Sequence, residues 1–141
     1  MKKLILDASV VLKWYLPDEE SGPQAMDILE QYVAGDLGLL APDILPYEVF
    51  NALVVAERMC RIGDAVTQKA FHAFLELEIQ LLDPFRDYDH VLSLARSFQR
   101  SVYDASYLSL AKKNRLHYVT ADKRLYNAVK DELKWVKCIG E

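Results

Sequence analysis

Cysteine is nearly absent: Cys60 and Cys138 are the only two in 141 residues, far apart and in no CxxC pair. That argues against a disulfide scaffold or a cysteine-built zinc site and leaves two semi-buried free thiols as the expectation. Histidine is equally thin. His72, His90 and His117 are scattered without ligand spacing, so no catalytic role follows for them. An excess of positive charge is missing too. The formal net charge is −4, which lends no support to a nucleic-acid binder working by bulk charge alone. There is no long apolar run. The opening Met-Lys-Lys-Leu-Ile-Leu is far too short for a signal peptide or a membrane span, so a cytoplasmic location without membrane contact is expected. No repeat, low-complexity tract or Gly/Ser/Pro linker divides the chain, and one domain over residues 1–141 is expected.

What is present is apolar residue at regular spacing. Hydrophobic residues make up 52% of the chain, at the upper end of ordinary usage, so part of the apolar surface is expected between subunits. Charge is unevenly placed. Basic residues dominate between Lys112 and Lys137, whereas the run Asp18, Glu19 and Glu20 reads as a solvated acidic loop.

Short apolar runs at 3–6, 38–41, 79–82, 116–119 and 135–139 read as strands. Between them lie segments of helical spacing. Ser9 is the candidate N-cap for a helix over 10–16, and Ser21-Gly22-Pro23 opens a second. A long helix runs from Pro46 to about Arg61 with Gly63 as its stop, and Asp64 caps the next. Further helices begin at Asp87, at Tyr103-Asp104 and after Asp122. Alternation of this kind predicts an α/β fold with a central, mostly parallel sheet and helices on both faces.

Four acids fall at element ends. Asp7 follows the first strand and Asp122 the fourth, where ligands of open α/β sheets bind. Glu48 and Asp104 lie in first turns of helices, where the dipole favours negative charge and where simple capping is the bland alternative. An acid directly after a buried strand costs free energy unless it is paired or coordinated. Carboxylates within about 5 Å repel by roughly 3 kcal/mol per pair at an effective dielectric near 20. A divalent cation offsets that, and hard oxygen donors without His or Cys point to Mg²⁺ or Mn²⁺. Cations held in this way serve in-line phosphodiester cleavage.

These residues resemble a known family. Ile5-Leu6-Asp7-Ala8-Ser9-Val10-Val11-Leu12-Lys13-Trp14 resembles the opening of PIN domains, especially the VapC-like toxins of toxin–antitoxin modules. Pro46-Tyr47-Glu48-Val49-Phe50-Asn51-Ala52-Leu53, Tyr103-Asp104-Ala105-Ser106-Tyr107-Leu108-Ser109-Leu110-Ala111 and Val119-Thr120-Ala121-Asp122-Lys123-Arg124-Leu125 resemble the three later blocks in order and spacing. The resemblance implies a ribonuclease with Asp7, Glu48, Asp104 and Asp122 in a site for Mg²⁺ or Mn²⁺. It also implies a homodimer held inactive by a small antitoxin.

Around the acids, Ser9 and Thr120 match the family's polar positions beside the metal, with an N-cap and a turn hydroxyl as their plainer roles. Asn51 shares a helix face with Glu48 and can bond a carboxylate or the substrate. Lys123 and Arg124 are candidates for RNA backbone contacts. Lys13 is a weaker one, since a solvated surface lysine is the commoner case. Tyr15, Tyr47, Tyr103, Tyr107 and Trp14 can stack unpaired bases, or pack in a core or dimer interface. Two other functions fit the same acids. One is a non-catalytic module in which they hold a structural ion or a basic partner peptide. The other is a housekeeping PIN nuclease outside any toxin–antitoxin pair.

Overall fold

A computed structural model describes residues 1–141. It has five strands, β1 (Lys2–Leu6), β2 (Leu37–Pro42), β3 (Gln80–Leu82), β4 (His117–Thr120) and β5 (Val136–Cys138). They form one sheet in the order β3-β2-β1-β4-β5, and every pairing is parallel, where a mostly parallel sheet was expected. In β1 the successive residues Leu4, Ile5 and Leu6 are all buried, as in a central strand covered on both faces. The three-residue edge strands β3 and β5 expose little unpaired backbone.

Seven α-helices connect the strands: α1 (Ala8–Tyr15), α2 (Gly22–Val33), α3 (Leu45–Arg58), α4 (Asp64–Glu76), α5 (Tyr88–Phe98), α6 (Val102–Asn114) and α7 (Lys123–Val129). Right-handed crossovers place α1 to α4 on one face and α5 to α7 on the other. The chain leaves β1 toward β2 but leaves β4 toward β5. The reversal between these adjacent strands opens a crevice at their carboxyl ends, the usual ligand position in open parallel sheets. No helix is long and apolar enough to cross a membrane.

Several helix ends differ from the sequence expectation. Asp7, not Ser9, caps α1, because its extended backbone lets the carboxylate reach the Ser9 amide. Thr120 is the last residue of β4 rather than part of a turn. Helix α3 stops earlier than Gly63, at Arg58, and Cys60 takes the left-handed conformation (φ 59°) beyond it. Gly63 is then the N-cap of α4, with Asp64 in its first turn. The thiols also part company, since Cys60 is exposed and Cys138 buried. Finally, the acidic run is not merely solvated: Arg61 bonds both oxygens of Asp18 and one of Glu19, tying the end of α3 to the α1–α2 loop.

Candidate functional site

Asp7 emerges from the central strand into the crevice. The register Leu6↔Val119 brings it beside Thr120. Side chains alternate along a strand, so Tyr118 and Thr120 share a face, and both hydroxyls donate to Asp7 Oδ2 at 2.6 Å. Oδ1 accepts from the Ser9 amide at 3.0 Å and from the Ser9 hydroxyl. A carboxylate has about four lone-pair directions. All of those on Asp7 are therefore used, and the group is only 8% exposed. Burial raises its proton affinity, and the donors from Ser9, Thr120 and Tyr118 pull it back down.

The network continues into the next acid. Ser9 Oγ accepts from the Ala121 amide at 2.8 Å, and Thr120 Oγ1 accepts from the Asp122 amide at 3.1 Å. Asp122 caps α7, its Oδ1 accepting from the amides of Arg124 and Leu125 at 3.0 and 3.1 Å. Its other oxygen makes no bond within the protein. Asp122 is thus both a helix cap and an exposed acid beside the crevice.

Glu48 and Asp104 approach from helices. Glu48, in the first turn of α3, accepts from the Tyr107 hydroxyl at 2.6 Å through Oε1 alone. Asp104 lies in the first turn of α6, whose N-cap Ser101 bonds the Asp104 amide at 3.0 Å, not its carboxylate. Both carboxyls are half-buried and titrate above the ordinary range. For Glu48 the first cause is desolvation, opposed by the Tyr107 hydroxyl and reinforced by the charges of Asp7 and Asp104. For Asp104 it is desolvation again, then the charge of Asp122, with Arg100 opposing and Asp7 adding. Asp7, Glu48 and Asp104 therefore lie within one another's electrostatic reach, and Asp122 joins them through Asp104.

The residues can be tested against a divalent ion. The donors are hard oxygens, and Glu48, Asp104 and Asp122 each keep lone pairs that no protein group occupies. No three Asp, Glu, His or Cys side chains stand together as a ready-made cage. A cage is not required of Mg²⁺, which keeps several waters and is commonly held by one or two carboxylates. Donor type and mutual repulsion fit a hard divalent cation.

Other predicted positions separate clearly. Ser9 and Thr120 are inside the Asp7 network. Asn51, Lys123 and Arg124 are exposed. Lys13 is neither solvated nor free: its side chain is 8% exposed, and Nζ donates to the Glu20 carbonyl at 2.6 Å with Glu19 nearby. It lines, with Ser21, Gly140 and the two neighbours of Asp122 in the chain, Ala121 and Lys123, a cavity of about 310 Å³. Tyr47 and Tyr103, next to Glu48 and Asp104, are exposed, whereas Tyr107 is buried. The sequence reading missed Tyr118 altogether. The i, i+2 pair Tyr118 and Thr120, two hydroxyls on one face of an otherwise apolar strand, was the available signal. Both Tyr107 and Tyr118 have phenols held well above their ordinary range, first by burial and then by the adjacent acids, so they stay protonated as donors.

Comparison with known proteins agrees with this architecture. The PIN domain profile matches residues 4–131. Among solved structures, PAE2754 from Pyrobaculum aerophilum superposes with a TM-score of 0.70 at 23% identity, over 98% of this chain and 91% of that one. VapC20 from Mycobacterium tuberculosis, a toxin that cleaves the sarcin-ricin loop, superposes with a TM-score of 0.59 at 13% identity, over 89% of this chain and 94% of that one. At such identities these likenesses speak for the fold. No curated protein matches the sequence. With the profile covering most of its length, the chain belongs to the PIN domain family, a family of nucleases.

Proposed function

We propose that this chain is a divalent-metal-dependent endoribonuclease of the VapC type, with Asp7, Glu48, Asp104 and Asp122 as its acidic site. The observation that carries the reading is the mutual electrostatic strain of these acids at the strand-switch crevice. Burial first, and then the charges of the other acids, make Glu48 and Asp104 hold their protons more tightly. Mg²⁺ or Mn²⁺ is the expected ion, and the chemistry it supplies when bound is water activation and charge neutralisation at the phosphate. Glu48, Asp104 and Asp122 offer open oxygens toward it, while Asp7, anchored by its four donors, fixes the floor of the site. Lys123 and Arg124 follow Asp122 directly and are exposed, suited to backbone phosphates of RNA. Ser9 and Thr120 orient Asp7, and Asn51 faces outward one turn beyond Glu48.

The proposal extends to partners and place. Large apolar side chains stand exposed on α3, at its C-cap and on α4, among them Phe50, Val55, Met59, Val66 and Leu75. Such a surface suits a homodimer or a cognate antitoxin, and a cytoplasmic site of action accords with an RNA substrate.

A second reading rests on one observation: the lone pairs of Asp7 are all taken, and no three-ligand cluster is preformed. A non-catalytic module would use such a network simply to build the crevice. Cleavage of a pool of structured and single-stranded RNAs with Mg²⁺, with Mn²⁺ and with EDTA separates the two. Divalent-dependent cutting that disappears in Asp104→Asn is the expected result. No cutting by folded protein across the pool would reject the nuclease reading, and cutting unchanged in EDTA would reject its dependence on a divalent metal.

A further inference from the structure

Two buried tyrosines do something in this site that neither the acids nor the family profile assigns. Tyr107 lies on α6 and Tyr118 on β4, with exposures of 2% and 0%. Their rings stack with centroids 5.5 Å apart and planes 14° from parallel. Each hydroxyl donates to a different acid at 2.6 Å, Tyr118 to Asp7 and Tyr107 to Glu48. Phenylalanine would pack equally well at either position. A buried hydroxyl is costly unless partnered, and here both partners are site acids. The stack therefore joins the floor of the site, after β1, to an acid carried by α3.

The bond to Asp7 also selects an oxygen. Tyr118 and Thr120 hold Oδ2 in fully buried bonds, whereas Oδ1 has only the partly buried contacts to Ser9. On Glu48, Tyr107 engages Oε1 and leaves Oε2 open.

We infer that Tyr107 and Tyr118 are a coupled pair of positioning residues, whose stacked rings and hydroxyls fix the separation of Glu48 from the Asp7 floor, so that the open oxygen of Glu48 is held where a divalent cation would bind. The inference rests on the nuclease reading and adds to it the two groups that aim the carboxylates. Partners that orient ligands in this way typically cost about 10- to 100-fold in metal affinity or activity when lost.

The test compares the full chain with Tyr118→Phe, Tyr107→Phe and Tyr32→Phe. Tyr32 is the control: its hydroxyl donates to the Leu77 carbonyl at 2.6 Å, on the far side of the molecule from any acid of the site. Mn²⁺ affinity is measured by calorimetry without RNA, alongside Tm and the separate kcat and KM for RNA. Tyr118→Phe is expected to weaken Mn²⁺ binding about 10-fold or more. Tyr107→Phe should weaken it by a smaller factor, because Glu48 is only half-buried. Both should lower kcat at saturating Mn²⁺ with little change in KM. Tyr32→Phe should lose some Tm, with its own part-buried bond to the Leu77 carbonyl, while binding Mn²⁺ normally. Wild-type Mn²⁺ affinity in both site variants, or an equal loss in Tyr32→Phe, would overturn the positioning role while leaving the nuclease reading standing. A wild-type chain that neither binds Mn²⁺ nor cuts RNA would instead overturn the nuclease reading, and the tyrosine role with it.

Discussion

The two halves of the candidate site are built on opposite plans. The strand-end half, Asp7 with Ser9, Tyr118 and Thr120, is buried and saturated with hydrogen bonds. In the helix half, Glu48 has one bond and the carboxylate of Asp104 has none, and both feel the other acids' charge. One half is held by donors; the other is half-buried, sparsely bonded and crowded by like charge. Burying a charge without donors would be prohibitive, so the inner acid needs its network. The outer acids need freedom to meet an ion, and solvent tempers their repulsion.

The largest expected effect breaks the first half. Asp7→Ala strands the Tyr118 and Thr120 hydroxyls and the Ser9 amide, and should cost about 3 kcal/mol of stability as well as abolish RNA cleavage. Urea unfolding and a cleavage assay read both, and a stable variant would show that the network is not what holds the strand ends. A smaller effect on stability, with the opposite sign, tests the second half. Asp104→Asn removes a charge that no protein group bonds, so the ion-free protein should keep or gain Tm while cleavage falls by about 100-fold or more. If the variant loses Tm instead, burial and like charge do not destabilise the ionised Asp104 in the ion-free protein.

The smallest effect is a dependence on pH. Glu48 titrates above its unfolded value, so between those two values the folded chain binds more protons than the unfolded one. Its contribution to stability then falls as pH rises through that window. Glu48→Gln should therefore gain Tm relative to the wild type as pH increases from about 4 toward neutrality, and Mn²⁺ should narrow the gap at neutral pH. A constant Tm difference across that range would contradict the assigned shift.

Much of the architecture was legible because each strand is an uninterrupted apolar run and each helix keeps its spacing. Only a buried central strand tolerates Leu4, Ile5 and Leu6 in succession. The approach of the four acids was legible too, since parallel strands and first helical turns have predictable polarity. Contacts that depend on register or on a distant element were not. Ser9 reads as a cap from its own chemistry, but the backbone at Asp7 takes that role first. Tyr118 reads as core until β1 and β4 are aligned, when its hydroxyl meets an acid 111 residues earlier in the chain. Lys13 looks like any surface lysine until the α1–α2 loop folds over it.

That long reach between β1 and β4 has a consequence for the timing of synthesis. Asp7 leaves the ribosome early, yet its bond from Thr120 spans 113 positions of chain. At translation rates of roughly 5–20 residues per second, the inner carboxylate waits on the order of ten seconds for its two donors on β4, Tyr118 and Thr120. Until then the acids have no common floor. A nascent or truncated chain ending before β4 carries Asp7, Glu48 and Asp104 without the strand that organises them, so any activity of the site is deferred until nearly the whole polypeptide has been made.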